Sequence, residues 1–372
     1  MRFRPFLSLA LILGLTPFSI AADNAATTGP DLPEAETGKL YQDAKSQPAD
    51  KAQRLAKNAE LLAAARKCLA DHPEVPVTAT YREILVRRIM LPAAERMFRD
   101  DPSAANREQL RTLASEVVKN PVTDAHLIVR EKVAAATTLA RLDIYSGDDK
   151  TPVDAAKHIR ALMAAFPKDA PGKNAAEFAG QAIVNATGLA VQTKETALAD
   201  ELCKEIAASY LATSGALDVL AAAGHPPVFE GEMTTLDGKT LRFPEDAKGK
   251  VVVLDFWATW CGPCVASLPH IREIHEQYKD RGVWCVGVSC DNPMPKETPE
   301  QNKQKVADFV KARNCPWTQT YTGEWPAAAV KYGVGSIPTV FVIGRDGRIL
   351  SASARGREAQ LIEQALAAPQ AP

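Results

Sequence analysis

Two hydrophobic periodicities divide the chain. From about Lys39 to Ala223, apolar residues recur at helical spacing, as in "KNAELLAAARKCLA" and "HIRALMAAF", and strand signals are nearly absent. Proline-bearing breaks such as "DHPEVP", "DDPSAAN", "KNPVTDA" and "FPKDAPGKNAA" each end one helix and offer an N-cap to the next. The pattern predicts an all-helical domain over 39–224, with roughly six to eight helices stacked as hairpins in a solenoid-like array.

The spacing changes at "HPPVFEG". "MTTLDGKTLRF" places Asp237-Gly238 between two short alternating runs, a hairpin signal. "KVVVLDFW" is nearly continuous in apolar character, as expected of a parallel strand covered on both faces. A helix follows with Gly282 as its stop, then a second buried strand, "VWCVGVS", and a helix opened by proline, "PEQNKQKVADFVKARN". "PTVFVIGRDGRILSA" reads as strand, turn at Asp346-Gly347, and strand; "REAQLIEQALA" closes with a helix. Residues 225–367 therefore read as an α/β sandwich, with 368–372 as a frayed tail. The fold class is α+α/β.

The first residues change where this chain is expected to work. Arg2 and Arg4 precede a short apolar run, Phe6 to Leu15, and Pro17 and "SIAA" follow it. This is the layout of a signal peptide over 1–21, cut near Ala21 or Ala22, and the run is too short for a comfortable membrane span. Residues 22–38 are small, polar and proline-containing, a flexible linker. A secreted or periplasmic location follows, with no stable membrane insertion after cleavage. The formal net charge of −1 argues against a nucleic-acid partner.

That location reframes the seven cysteines, at 68, 203, 261, 264, 285, 290 and 315. Disulfides persist outside the cytosol, and an odd count leaves at least one thiol unpaired within the chain. Cys68 and Cys203 lie in helix-like segments, as buried small side chains or as a disulfide pair. Cys261 sits where a strand ends and a helix begins, so backbone N–H groups and the helix dipole favour its thiolate. Cys264 follows one turn later on the same face, and Pro263 costs little in a first turn. A zinc half-site would need a second pair at matching spacing, and Cys285 and Cys290 fall on opposite faces of a strand. A structural disulfide across two residues would itself be reducible. Redox exchange is the chemistry this spacing serves, with no metal and no cofactor beyond the cysteines.

"DFWATWCGPC" with "SIPT" resembles thioredoxin, and the wider frame "LDGKTL…GKVVVLDFWATWCGPC…GVWCVGVSCD…YGVGSIPTVFVIGRDG" resembles exported thioredoxin-like proteins of the TlpA/ResA type. The likeness spans about 225–367 and leaves the helical half unexplained. It implies Cys261 as attacking thiolate, Cys264 as resolving thiol, and a cis-proline at Ile337-Pro338 whose preceding backbone pairs with substrate. It also places Trp260 beside the site and Trp257 beneath it. Asp255, a carboxylate inside a buried strand, should carry a raised pKa; the likeness makes it proton acceptor for Cys264, unless it reaches solvent at the strand end. Ser267 stands where exported relatives often carry a glutamate. Cys290 and Cys315 are candidates for a second disulfide at the active-site edge, or free thiols. The Gly-Pro dipeptide and Ile337 resemble the reducing members, which implies exported protein disulfides as substrates and a membrane electron carrier as reductant. The alternative is a binding or scaffold protein whose helical domain docks a partner and whose redox domain regulates it or acts as an oxidant.

Overall fold

A computed structural model describes residues 31–76, 80–119, 126–145, 152, 154–169 and 175–368. The signal segment and most of the linker expected from the sequence lie outside these residues. The chain divides into two compact units at Glu195/Thr196.

The first unit is helical: α1 (Glu34–Lys45), α2 (Lys51–Asp71), α3 (Thr80–Ile84), α4 (Leu91–Asp100), α5 (Ala104–Lys119), α6 (His126–Ile144), α7 (Ala155–Ala164) and α8 (Ala175–Thr193). A π-helical turn, Leu85–Met90, joins α3 to α4 without a break. Asp50 caps α2, its side chain accepting from the Gln53 N–H. Most helices pack on those nearest in sequence, as hairpins do. Leu61, Leu62, Cys68, Leu85, Ile89, Leu110 and Leu113 are buried together. Arg54 ties α2 to α4 through a two-pronged pair with Asp100, at 2.5 and 2.8 Å. Helix α1 starts at Glu34, so the last residues of the expected linker are helical: they carry Thr37, a buried side chain of that helix.

The second unit begins with α9 (Thr196–Ser209) and α10 (Ala216–Ala222). Together with α1–α8 these make ten described helices, more than the sequence pattern suggests, because α3 and α10 span only 5 and 7 residues. Helix α10 packs on the α/β domain itself. Leu217 enters the same core as Phe229 and Phe341, and Asp218 accepts from the Ser351 hydroxyl at 2.8 Å and the Ala352 N–H at 3.0 Å.

The hairpin of β1 (Gly231–Thr234) and β2 (Thr240–Phe243) forms around Asp237-Gly238, with Gly238 at φ +87°. Then come β3 (Val251–Trp257), α11 (Gly262–Tyr278), β4 (Val283–Ser289), α12 (Pro299–Ala312), β5 (Thr318–Thr320), α13 (Ala327–Lys331), β6 (Thr339–Ile343), β7 (Ile349–Ser351) and α14 (Glu358–Ala367). Thr298 and Gln301 close a reciprocal capping box at the start of α12. The five-stranded sheet runs β5-β4-β3-β6-β7. Strand β3 is central, parallel to β4 and antiparallel to β6. All seven β3 residues are buried because the sheet is covered on both faces. Val252, Leu254 and Phe256 point into a core shared with Phe229 and Val306. Val251 and Val253 point into the other, made with Leu268, Ile271 and Ile274 of α11 and Ile362 and Ala365 of α14. This is a thioredoxin-like sandwich.

Candidate active site

The site forms where β3 ends. Parallel strands feed the connecting helix from their C-terminal edge, so the residues between β3 and α11 are delivered to the sheet's rim. Three residues, Ala258 to Trp260, make the turn. Asp291, buried just beyond β4, holds it: its carboxylate accepts from the Thr259 N–H at 3.1 Å, the Thr259 hydroxyl at 2.6 Å and the Ser289 hydroxyl at 2.9 Å. The Cys290 N–H donates to the Trp257 carbonyl at 2.7 Å, stitching the two strand ends together.

Cys261 is the N-cap of α11, and its Sγ accepts from the Cys264 N–H at 3.2 Å. Pro263 occupies the first turn, where no N–H is needed. Cys261 and Cys264 are joined in a disulfide, with Cα atoms 5.2 Å apart. Cys264 begins the stripe Cys264, Leu268, Ile271, Ile274, Tyr278 that α11 turns to the sheet, so it is fully buried. Cys261 lies nearer the surface, 5 % exposed. The Ile337-Pro338 peptide is cis, and the Ile337 carbonyl lies 3.8 Å from the Cys261 Sγ. Trp260 is 62 % exposed beside the pair. Trp257 is fully buried below, its indole N–H donating to Gln319 Oε1 at 3.1 Å and its ring 5.8 Å from Phe309.

Asp255 shares its strand face with Val251 and Val253, under α11 and α14. It is 1 % exposed, so it does not reach solvent at the strand end. Neither carboxylate oxygen has a hydrogen-bond partner. Burial, with the Glu358 charge adding to it and Arg355 opposing, pushes its pKa up to about 7. Ser267 donates its hydroxyl to the Cys264 carbonyl at 2.8 Å and supplies no acid.

The other thiols do not join the pair. Cys290 and Cys315, candidates for a second disulfide, are both free and lie in the two cores on opposite faces of the sheet. Period-two spacing carries Cys290 to the Trp257 side, but Cys315 falls beside Cys285 and Trp317 on the other. Cys68 and Cys203 are likewise free and buried. Burial pushes Cys285 and Cys290 up to about 12, so they stay protonated.

Sequence reasoning missed Asp291, Gln319 and Glu358. For Asp291 a signal existed: an acid directly after a buried strand whose neighbour ends in the cysteine turn. Gln319 depends on Gly287, since a Cβ there would sit 2.1 Å from Gln319 Oε1. Glu358, 1 % exposed on α14, is in a plainly amphipathic helix and gave none.

The Redoxin family model matches residues 222–365. Those residues are redoxin-like, and the chain is similar to thiol-disulfide oxidoreductases such as ResA. Over 125 residues the chain is 33% identical to the thiol-disulfide oxidoreductase ResA of Bacillus anthracis, covering 32% of this chain and 62% of that relative. Over 119 residues it is 32% identical to the sporulation thiol-disulfide oxidoreductase A of Bacillus subtilis (strain 168), covering 32% and 66%. The chain thus spans a little under two thirds of these curated relatives. Among solved structures, a thiol:disulfide interchange protein of the thioredoxin family from Chlorobium tepidum TLS is 25% identical, with a TM-score of 0.31 over 38% of this chain and 97% of that one.

Proposed function

We propose that this chain is an exported thiol–disulfide oxidoreductase that reduces protein disulfides with the Cys261/Cys264 couple. The observation that carries the reading is the disulfide at the start of α11, set against the Ile337 carbonyl of a cis-proline turn. In the reduced protein the α11 N-terminus favours the Cys261 thiolate. That thiolate attacks one sulfur of a client disulfide; a Cys261–client bond forms and the second client sulfur leaves with the electron pair and takes up a proton. Trp260, Ile337 and Pro338 bind the client segment. Cys264 then gives its proton to Asp255 and attacks the Cys261 sulfur, forming the internal disulfide and expelling the first client sulfur as a thiolate. Two electrons have moved to the client.

Asp255 fits the acceptor role because it is buried, unpaired and raised to about 7, near the pH at which it must both take and return a proton. A membrane electron carrier restores the dithiol. The signal-like segment at the start of the chain supports export, and no described helix is long and apolar enough to cross a membrane.

The test is capture. A Cys264→Ser variant expressed with its own leader should hold clients through Cys261 as mixed disulfides that dithiothreitol releases, and a Cys261→Ser variant should hold none. Equal labelling of both variants, or no insulin reduction by the unaltered protein with dithiothreitol as donor, refutes the assignment. A potential more positive than about −150 mV refutes the reductant direction.

A further inference from the structure

A proton that reaches Asp255 has nowhere to go by that residue alone, because both oxygens are buried without partners. Two further groups lie on the way to the surface. Glu358 opens α14, the helix that covers β3 and β6 on the Asp255 face. It is buried, and its charge is the strongest charged influence on Asp255. Its Oε2 lies 3.2 Å from Nε2 of His270, which α11 presents from the residue before Ile271. The His270 side chain is half exposed, and its Nδ1 faces Glu273 at 4.0 Å. Acid, acid and imidazole thus lead from β3 to solvent.

We propose that Glu358 and His270 extend the Asp255 site into a three-group relay that carries the proton released at Cys264 out to solvent. The inference rests on Asp255 being the acceptor. In the resolving step the Cys264 sulfur bonds to the Cys261 sulfur, the client sulfur leaves with the electron pair, and the Cys264 proton goes to Asp255. Asp255 passes it to Glu358 through water. Glu358 passes it to Nε2 of His270, and Nδ1 releases a proton to water. Asp255 and Glu358 return to their starting states and one proton leaves; His270 is left as the Nε2–H tautomer, which proton exchange with water at its half-exposed ring resets. Glu358 and His270 act through Asp255, as positioning residues. The other titratable and charged groups acting on Asp255 are Arg355, before α14, and the thiols of Cys285, Cys290 and Cys315. Burial keeps those three thiols protonated, so they offer no competing acceptor.

The full-length reduced protein mixed with 5,5′-dithiobis(2-nitrobenzoate) should release thionitrobenzoate in two phases, attack at Cys261 and then resolution by Cys264. Across pH 5 to 9, Glu358→Gln and His270→Asn should leave the first phase unchanged and slow the second about tenfold. Losing the neighbouring charge, Glu358→Gln should also move the acid limb of the second phase down by about one pH unit. Free imidazole should restore His270→Asn, and adding either change to Asp255→Asn should slow it no further. A second phase slowed by Asp255→Asn but untouched by both Glu358→Gln and His270→Asn overturns the relay and leaves Asp255 as acceptor. A second phase untouched by Asp255→Asn overturns both. His270, being half exposed, keeps the test open should Glu358→Gln fail to fold.

Discussion

Replacing Asp255 by Asn should stabilise the oxidised protein above neutral pH and leave it unchanged in acid. The folded protein holds the Asp255 proton up to about pH 7, whereas an unfolded chain releases it at about 3.8. A raised carboxyl pKa means the native state binds the extra proton, so stability falls as pH rises from about 4 to about 7 and levels off above. The gap is about three units, at about 1.4 kcal/mol each, so roughly 4 kcal/mol is lost across that window. Asn keeps the shape and cannot ionise. Asp255→Asn should therefore match the unaltered protein near pH 4 and exceed it by about 4 kcal/mol at pH 8. Urea unfolding followed by tryptophan fluorescence reads the relevant unit alone, because all five tryptophans lie between positions 257 and 325. Parallel pH curves for the two proteins, or a less stable variant at pH 8, would refute the buried, unpaired carboxylate.

Three further outcomes follow from the site's supports. Asp291→Ala strands the Thr259 N–H and two hydroxyls, and should cost about 2–3 kcal/mol in urea unfolding while slowing the first thiol phase at Cys261. Gly287→Ala drives a methyl into the Gln319 amide and should cost about 1–3 kcal/mol, with a changed Trp257 emission that Gln319→Ala in the same chain partly relieves. Trp260→Ala removes an exposed ring that supports nothing, so stability should stay within about 0.5 kcal/mol while KM for a protein disulfide rises; an unchanged KM would remove Trp260 from the client surface.

How much of this could be read in advance depended on whether a residue's role is set by its own segment. Strand β3, the CGPC turn and the Asp237-Gly238 hairpin are local, and the structure has all three. Strand β5 went unread because "TQT" is polar: it pairs at the sheet's edge, and its Gln319 is buried to meet Trp257, not to fill apolar space. Helix α10 reads as one more member of the helical array, since nothing in "ALDVLAA" names β7 as its partner.

The site divides in the same way. Asp255 was legible because a charge inside "VVVLDFW" contradicts its surroundings, and contradiction is a strong signal. Glu358 contradicts nothing locally. Glutamate at the first position of a helix is ordinary, and only the packing of α14 on β3 buries it beside a second acid. The cysteines show the limit of periodicity from the other side. A period of two separates Cys285 from Cys290, which are in one strand and its continuation, yet it cannot relate Cys290 to Cys315 across α12. Which face a residue joins after a helix is decided by how that helix returns the chain. A second disulfide at the rim was therefore chemically reasonable from the sequence, whereas the two thiols are free, one in each core.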